Sequence, residues 1–257
     1  TYPYDKERLS GFAWWLLYLV DKVYRTKLYK CVDAIATYSE DKKIFKVNTI
    51  HINNGIDFSK VSLRNPNNHT TEIRLVAVAG LAKWHGYDRL LEGLGEYYRT
   101  DVERKVIFHI VGEGPVREEY EQTVEKYQLQ KYCIFDGVKR GKELDEIYDM
   151  CDIGIEVLAA FRKDVLVSSS LKSREYAAKG LPFVTASKSD VFEGQDFVLK
   201  VPNNESNINI YDIINFYDCI YKNQEPSKVV ENIRSKAEKC CEIRNTMKPI
   251  VEYMMKE

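Results

Sequence analysis

Three consecutive serines, Ser168 to Ser170, come directly before a helix-forming stretch that carries Lys172 and Glu175. A serine hydroxyl can cap a helix by accepting a hydrogen bond from a free N–H group of the first turn. The free N–H groups and the helix dipole also favour a phosphate group, and Lys172 would lie in the same turn. Glu175 follows one turn later and could accept hydrogen bonds from sugar hydroxyls. A nucleotide would suit this arrangement, although a solvated helix glutamate fits the spacing equally well.

Two loops that contain glycine are further candidates for binding an anion. The loop GLAKWHG, residues 80–86, follows an apolar strand and contains Lys83 and His85, which could both donate to an anion. In the second loop, Gly112 and Gly114 flank one residue, so that the backbone could approach a ligand closely. A plain turn is the alternative for this second loop. The chain contains neither GxGxxG nor GxxxxGKS/T, which disfavours both conventional dinucleotide binding and P-loop nucleotide hydrolysis.

The elements that position these loops alternate between apolar strands and helices. Such alternation is typical of a parallel sheet that is buried on both faces, and ligands bind such sheets at the carboxyl ends of the strands. The loops 80–86, 112–115, 137–140 and 158–171 are therefore expected to form one site. Strands are predicted at 74–79, 106–111, 134–135, 152–157, 183–185 and 197–201, and helices at 87–98, 115–127, 141–150, after Ser170 and within 206–256.

The first fifty residues predict a different kind of element. Apolar residues recur at helical spacing over Leu9–Lys30, followed by strands at 34–38 and 48–52 with a helical turn at 40–45 between them. Trp14 and Trp15, with the basic residues that follow them, would suit a helix on a membrane surface. An amphipathic helix that covers a sheet is the alternative, and we favour it.

Charge and cysteine content exclude some classes of function. Lys and Arg number 38 against 39 Asp and Glu, so the chain has no global positive field for nucleic acid. The six cysteines form no CxxC pair and only four histidines accompany them, which disfavours a zinc site or a disulfide framework and favours a reducing cytoplasm. No secretory signal is visible, and the chain begins at Thr1 without a methionine, as a processed or shortened form would.

Taken in order, four stretches resemble the donor-binding domain of family 4 retaining glycosyltransferases, which have the GT-B architecture. These stretches are VAVAGLAKWHGYDRLLEGL, IVGEGP, FDGV and SLKSREYAAKGLPFV. The earlier stretches DAIATYSE and INNGIDF resemble the end of the first domain of that family and the crossover into its second domain. The resemblance implies a Rossmann-like parallel sheet with helices on both faces, preceded by a truncated N-terminal segment. It covers roughly Asp33 to Pro202.

The resemblance assigns roles to the residues of the serine stretch. Glu175 matches the second glutamate of the family's Glu-x7-Glu motif, which binds the nucleotide ribose. Ser169, Ser170 and Leu171 match the backbone segment that holds the diphosphate, and Lys172 is expected to assist them. The first glutamate of the motif falls on Val167, so a contact to the donor sugar is missing or replaced.

Asp164 is the candidate to replace the contact to the donor sugar that is lost at Val167.

The other loops also have counterparts in the family. Gly112 and Gly114 match a G-x-G-P loop near the nucleotide, and Val138 lies where the family holds the base. In the family's G-R-x4-K-G loop, Gly80 takes the Arg position and His85 the Lys position, and Lys83 could supply the lost charge. This change resembles a subgroup with a KWHGYDRL loop, seen in bacterial enzymes that build polysaccharides.

The resemblance implies three segments. Residues 1–55 would be a remnant of the acceptor-side domain with the crossover, residues 56–240 the domain that binds the nucleotide-sugar donor, and residues 241–257 a C-terminal crossing helix. The implied reaction is transfer of a sugar, with retention, from a nucleotide sugar to a saccharide or lipid-linked acceptor. Such an enzyme would be incomplete in this chain, and it would act in the cytoplasm or at the inner face of the membrane.

Lys83 and Glu175 are the candidate catalytic residues. We expect no metal, because no Asp-x-Asp pair stands at a strand end, and no cofactor, because the nucleotide sugar is itself the substrate. Two alternatives remain open. One is a nucleotide-sugar isomerase of the same fold, which would draw on Glu113, Asp164 or Glu175 as catalytic acids. The other is a domain that binds a nucleotide or a partner without turning anything over.

Overall fold

A computed structural model describes residues 12–66, 71–100, 102, 104–163 and 167–256. The chain divides into two compact units. One consists of the residues before Asn54 together with those from Thr246 onward, and the other runs from Asn54 to Asn245. The domain roles predicted for 1–55, 56–240 and 241–257 stay predictions.

The first unit contains a helix and a small sheet. Helix α1 spans Phe12–Arg25, and the strands are β1 (Ala34–Thr37), β2 (Lys43–Ile44) and β3 (Val47–His51). Strand β3 lies in the middle, parallel to β1 and antiparallel to β2. No helix among the residues that the structure describes is long and apolar enough to cross a membrane.

Two predictions for this unit are wrong in detail. The predicted helix 9–30 ends at Arg25, and a separate 3₁₀ turn follows at Leu28–Lys30, while residues 9–11 lie outside the described range. The predicted helical turn at 40–45 is instead β2, which pairs with β3 through a tight hairpin. Phe45 and Lys46 form that hairpin with φ angles of 50° and 69°, values that no periodicity of apolar residues encodes.

The second unit is built on a parallel sheet, as predicted. Within the described residues the sheet has six strands in the order β11-β9-β7-β4-β5-β6, and every neighbouring pair is parallel. The strands are β4 (Glu72–Val78), β5 (Lys105–Val111), β6 (Cys133–Gly137), β7 (Ile153–Ile155), β9 (Phe183–Thr185) and β11 (Val198–Lys200). A separate two-stranded ribbon joins β8 (Val167–Ser168) to β10 (Lys188–Ser189).

Helices cover both faces of the six-stranded sheet. Ile73, Leu75 and Ala77 of β4 pack into one apolar cluster with α2, α3 and α6, whereas Val76 packs into the opposite cluster with α4, α5 and α7. Successive strand residues point to opposite faces, so a strand buried on both must be apolar throughout. These helices are α2 (Tyr87–Tyr97), α3 (Arg117–Lys126), α4 (Lys142–Met150), α5 (Leu171–Ala178), α6 (Ile210–Tyr221) and α7 (Pro226–Cys241). A further helix, α8, spans Ile243–Met254 and contributes no residue to either cluster.

The strand order reverses between β4 and β7. Strands β5 and β6 follow β4 on one side, whereas β7, β9 and β11 lie on the other. At such a switch point the loops after the two central strands diverge and leave a crevice at the carboxyl edge. The loops that follow β4 and β7 border that crevice, and the loop after β7 leads on to α5.

Candidate functional site

Helix α5 begins as the sequence predicts. The hydroxyl oxygen of Ser170 accepts a hydrogen bond from the backbone N–H of Lys172 over 3.2 Å, which makes Ser170 the N-cap. Leu171, the first helical residue, is exposed. The other N–H groups of a first helical turn have no acceptor within the helix, so they can donate to an anion.

Ser169 has a different task, because it fastens the loop before α5. Its hydroxyl donates to Oδ2 of Asp190 over 2.6 Å and accepts from the backbone N–H of Asn54 over 3.2 Å. The side-chain amide of Asn54 also donates to the carbonyl oxygen of Ser169 over 2.6 Å. The sequence predicts only a backbone role for Ser169, and these side-chain contacts are additional to it.

Arg174 completes this fastening from within α5. Its side chain is fully buried and pairs with Asp190 over 2.6 Å. It also donates to the carbonyl oxygens of Asn54 over 2.7 Å and of Ser170 over 3.0 Å. A buried guanidinium that satisfies several acceptors holds them in one geometry, so Arg174 fixes the loop that carries the cap.

Lys172 places a positive charge beside the cap. Its ammonium nitrogen lies 3.3 Å from the hydroxyl oxygen of Tyr87 and 5.8 Å from the centre of the Trp84 ring. Burial lowers the pKa of Lys172 to about 8, and the charge of Glu156 partly opposes that shift. The ammonium is thus held against aromatic side chains of the α2 segment, where an anion would meet little competing water.

Glu156 is a site residue that sequence reasoning missed. It follows β7 directly, is 2% exposed, and accepts a hydrogen bond from the hydroxyl of Thr185 over 2.6 Å through Oε2. Its other oxygen, Oε1, is buried and has no hydrogen-bond partner among the described residues. A buried acidic residue at the end of a sheet strand is the signal that could have identified it, but it stands inside an apolar run.

The loop after β4 brings His85 and Lys83 to the same edge of the sheet. His85 is buried, and its Nδ1 accepts from the backbone N–H of Ala82 over 3.2 Å. Burial, with the nearby charges of Lys172 and Lys163, lowers the pKa of His85 to about 3. His85 is therefore neutral at physiological pH, with Nδ1 occupied, so it adds no charge for an anion.

Lys83 is the more accessible of the two. Its side chain is 71% exposed, and its ammonium lies 3.4 Å from a carboxylate oxygen of Glu119. An exposed pair of this kind is weak and can be exchanged for a stronger partner. Gly80, at the start of the loop, has open space where a Cβ would be, so packing does not require glycine there.

The glycine loops after β4, β5 and β6 are joined by backbone hydrogen bonds. The N–H of Leu81 donates to the carbonyl oxygen of Glu113 over 2.8 Å, and the N–H of Gly112 donates to the carbonyl oxygen of Gly137 over 2.7 Å. A Cβ on Gly112 or Gly114 would overlap with the backbone of the β4 loop. Both glycines are therefore needed for the loop after β5 to pack against the loop after β4, and the close approach of this backbone to a ligand stays a prediction.

Other expected contacts have different outcomes. Val138 is exposed beside this loop junction, so the position expected near the base is open to a ligand. Arg162 of the loop 158–171, whose charge would suit a diphosphate, is not free for an anion, because its guanidinium is paired with the carboxylates of Asp88 and Glu205. Val167 is exposed on β8, and Asp164, the candidate to replace its contact, lies outside the described residues.

Glu175 lies one turn beyond Lys172 on the same face of α5. The carboxyl group is half-buried, and its Oε1 accepts a hydrogen bond from the hydroxyl of Tyr148 over 3.1 Å. Burial raises the pKa of Glu175 above its usual value, against the opposing effects of Tyr148 and Lys179. Tyr148 is a second residue that the sequence does not reveal, since it looks like an ordinary core tyrosine of α4.

The arrangement can bind a phosphorylated ligand that also carries hydroxyl groups. Helical N–H groups and Lys172 supply positive charge at the start of α5, and the Glu175 carboxylate is available a turn away. The expectation that no metal or cofactor takes part stays a prediction. A cluster of His, Cys, Asp and Glu that could hold a metal is absent from the part of the chain that the structure describes.

Comparisons with known proteins relate this chain to glycosyltransferases, by a family model and by fold. A family model described as "Glycosyl transferases group 1" matches residues 72–214, more than half of the sequence. A search of curated protein sequences found no significant match. Solved structures of GT-B glycosyltransferases share the fold at 14–16% sequence identity.

Three of these structures illustrate the likeness. Anabaena HepE in complex with UDP has a TM-score of 0.61, 16% identity and 82% of this chain covered. A glycosyltransferase from Rickettsia africae has a TM-score of 0.64 and 14% identity, and the match covers 89% of this chain. A variant of S. aureus TarM in complex with fondaparinux, alpha-GlcNAc-glycerol and UDP has a TM-score of 0.62 and 15% identity, and the match covers 90% of this chain. The matches cover 58%, 65% and 45% of those proteins, so this chain is shorter than each of them.

Proposed function

This chain belongs to the group 1 glycosyl transferases, and from that premise we propose that its second unit binds the nucleotide-sugar donor of a sugar-transfer reaction. The observation that carries the proposal is the start of α5. There Ser170 caps the helix, Lys172 adds a charge, and Glu175 lies one turn further along. Diphosphate at the helix start and ribose at Glu175 use each of these groups for the chemistry that suits it.

The proposed chemistry is stabilisation of the leaving nucleoside diphosphate. As the bond between the sugar and the phosphate breaks, negative charge grows on the phosphate oxygen. Preorganised N–H groups and cations placed at that oxygen lower the barrier. The N–H groups of Ser170 and Leu171, the ammonium of Lys172 and that of Lys83 are the groups we assign to this task. Lys83 would first exchange its exposed partner, Glu119, for phosphate.

The finer features of the proposal rest on the resemblance to family 4. They are retention of the anomeric configuration, a saccharide or lipid-linked acceptor, and a role in polysaccharide biosynthesis in the bacterial cytoplasm or at the inner face of the membrane. The acceptor would bind the domain to which we assign residues 1–55. Because this chain spans less than two thirds of its structural neighbours, its own activity as a transferase is part of the proposal.

Calorimetric titration with UDP, ADP and GDP tests donor binding directly. We expect one of these nucleotides to bind, and Lys83→Ala to weaken its binding by about fivefold, the effect of one exposed charge on a phosphate. Lys126→Ala is the matched control, because Lys126 also forms an exposed ion pair, with Glu92, at the far end of α3. The proposal fails if no nucleoside diphosphate binds, and the role of Lys83 fails if both variants bind alike.

A second candidate is a domain that binds a nucleotide without turning it over. The start of α5 also fits this candidate, because the helix cap, Lys172 and Glu175 account for binding without any turnover. Incubation with a UDP-sugar and a sugar acceptor distinguishes the two, since only a transferase releases UDP in step with a glycosylated product. Epimerised sugar without an acceptor would instead indicate the isomerase of the same fold.

A further inference from the structure

The hydrogen bond between Tyr148 and Glu175 leaves most of the carboxylate unoccupied. Tyr148 has one hydroxyl proton, and it is donated to Oε1 of Glu175 over 3.1 Å. A carboxylate offers about four acceptor positions, so Oε2 and the rest of Oε1 stay available to a ligand. Tyr148 is 1% exposed, and its ring is fixed between α4 and α5 by the surrounding core. A rigid phenol therefore sets the direction in which the carboxylate of Glu175 points.

Lys179 would be the natural ion-pair partner of Glu175, but another residue engages it. The two side chains are four residues apart, with the glutamate first, which is the favoured order on a helix. In the structure the ammonium of Lys179 instead pairs with Asp145 and donates to the hydroxyl of Ser62 over 3.1 Å. It also lies 5.4 Å from the centre of the Tyr148 ring. No ion pair joins Lys179 to Glu175 among the described residues.

Asp145 and Tyr148 are three residues apart and thus share one face of α4. Asp145 pairs with the cation that would otherwise neutralise Glu175, and Tyr148 donates a single hydrogen bond from an uncharged hydroxyl to Glu175. Together they leave a charged, oriented and half-buried acceptor beside the start of α5.

We propose that α4 is the positioning element of the ribose-binding carboxylate: Tyr148 fixes the direction of Glu175, and Asp145 keeps Lys179 from neutralising it. This inference rests on the proposed binding of a nucleotide by the second unit. Its consequence is selectivity for the sugar of the nucleotide. Hydroxyl groups of a ribose gain from an oriented carboxylate, whereas a nucleotide that lacks them does not.

The experiment compares UDP with 2′,3′-dideoxy-UDP by calorimetry. Wild-type protein should prefer UDP, and Glu175→Gln should reduce that preference. Tyr148→Phe keeps the buried ring and removes only the hydroxyl. We expect it to bind UDP about fivefold more weakly, because the carboxylate of Glu175 loses its fixed direction, while its affinity for the dideoxy nucleotide changes less than twofold. The control Tyr97→Phe removes a buried phenol that donates to the carbonyl oxygen of Arg104, at the opposite edge of the sheet.

Asp145→Ala tests the other half of the proposal. It frees Lys179 to pair with Glu175, so it should also weaken UDP selectively. Its control is Asp149→Ala, which removes a carboxylate of the same helix that accepts from the backbone N–H of Asn65.

The outcomes separate the two levels of inference. The positioning role is overturned if Tyr148→Phe weakens binding of UDP and of the dideoxy nucleotide equally. It is also overturned if Tyr148→Phe and Asp145→Ala both keep the wild-type preference for UDP. Neither result would contradict nucleotide binding itself. Failure of wild-type protein to bind UDP, ADP and GDP would overturn the proposed function and this inference with it.

Discussion

The ammonium nitrogen of Lys172 lies 3.3 Å from the hydroxyl oxygen of Tyr87, whose ring is completely buried. The groups that face this ammonium are few. Glu156 lies on the β7 side, His85 and Trp84 belong to the β4 loop, and Lys163 lies 4.2 Å from the centre of the Trp84 ring. Burial therefore lowers the pKa of Lys172, and the charge of Glu156 opposes that shift.

The first prediction concerns pH. The pKa of Lys172 in the free protein is about 8. The side chain is therefore positively charged below that pH and loses its charge as the pH rises through it. Affinity for UDP should therefore fall between pH 7 and pH 9, by about tenfold if one charge-assisted contact is lost. Lys172→Arg stays charged throughout and should remove this dependence. Calorimetry at pH 7, 8 and 9 measures the UDP affinity of both proteins. Any change in the protonation of UDP itself affects both proteins equally. A parallel fall in the two proteins would contradict the assignment.

The second prediction concerns Glu156. Its negative charge favours the protonated form of Lys172 and thus opposes the lowering of the pKa by burial. Glu156→Gln removes the charge, so the pKa of Lys172 should move further below 8 and UDP affinity should decline at lower pH than in wild type. Thr185→Val is the control, because it removes the hydrogen bond to Glu156 but keeps the charge. If both variants keep the wild-type pH profile, Glu156 does not influence Lys172.

The third prediction concerns the loop junction. A Cβ on Gly114 would overlap with the backbone of Leu81, so Gly114→Ala must push the β4 loop aside. Overpacking of this kind costs about 1–3 kcal/mol in the free energy of unfolding, and UDP affinity should fall because Lys83 moves with the loop. Gly80→Ala, where the new Cβ meets nothing, should leave unfolding in urea nearly unchanged. Equal stability of the two variants would show that the junction is not tightly packed.

The fourth prediction concerns the buried ion pair of Arg174 and Asp190, whose side chains are 0% and 11% exposed. Asp190→Asn leaves an uncompensated guanidinium in the interior and should cost about 3 kcal/mol in the free energy of unfolding. Asp196→Asn breaks the exposed pair with Lys236 and should cost less than about 1 kcal/mol. Urea denaturation of both variants decides this, and comparable losses would rule out a special role for the buried pair.

Features encoded locally could be predicted from the sequence. The cap at Ser170 and the strand β9 at Phe183–Thr185 lie where they were expected, because a capping hydroxyl and a short apolar run each depend on neighbouring residues. The predicted parallel sheet is also confirmed. Strands buried on both faces and separated by helices have few other ways to hide their apolar side chains.

Partners that are distant in the chain could not be predicted. Arg162 looks like an available cation in the sequence, yet Asp88 and Glu205 occupy it. Tyr148 and Glu156 look like core residues, and only the packing of α4 and β9 reveals which groups they contact. Charge and composition say which residues can bind an anion, but the fold decides which of them are still free to do so.

The hydrogen bonds between Asn54 and Ser169 join residues that are 115 positions apart. During synthesis Asn54 emerges long before its partner, and closing so large a loop is an entropic cost that only later contacts recover. The loop before α5 thus acquires its final geometry only after most of the second unit has been made. If this loop binds a nucleotide, a nascent chain would bind it only after synthesis has passed Asp190, which holds Ser169, and shorter truncated products would not.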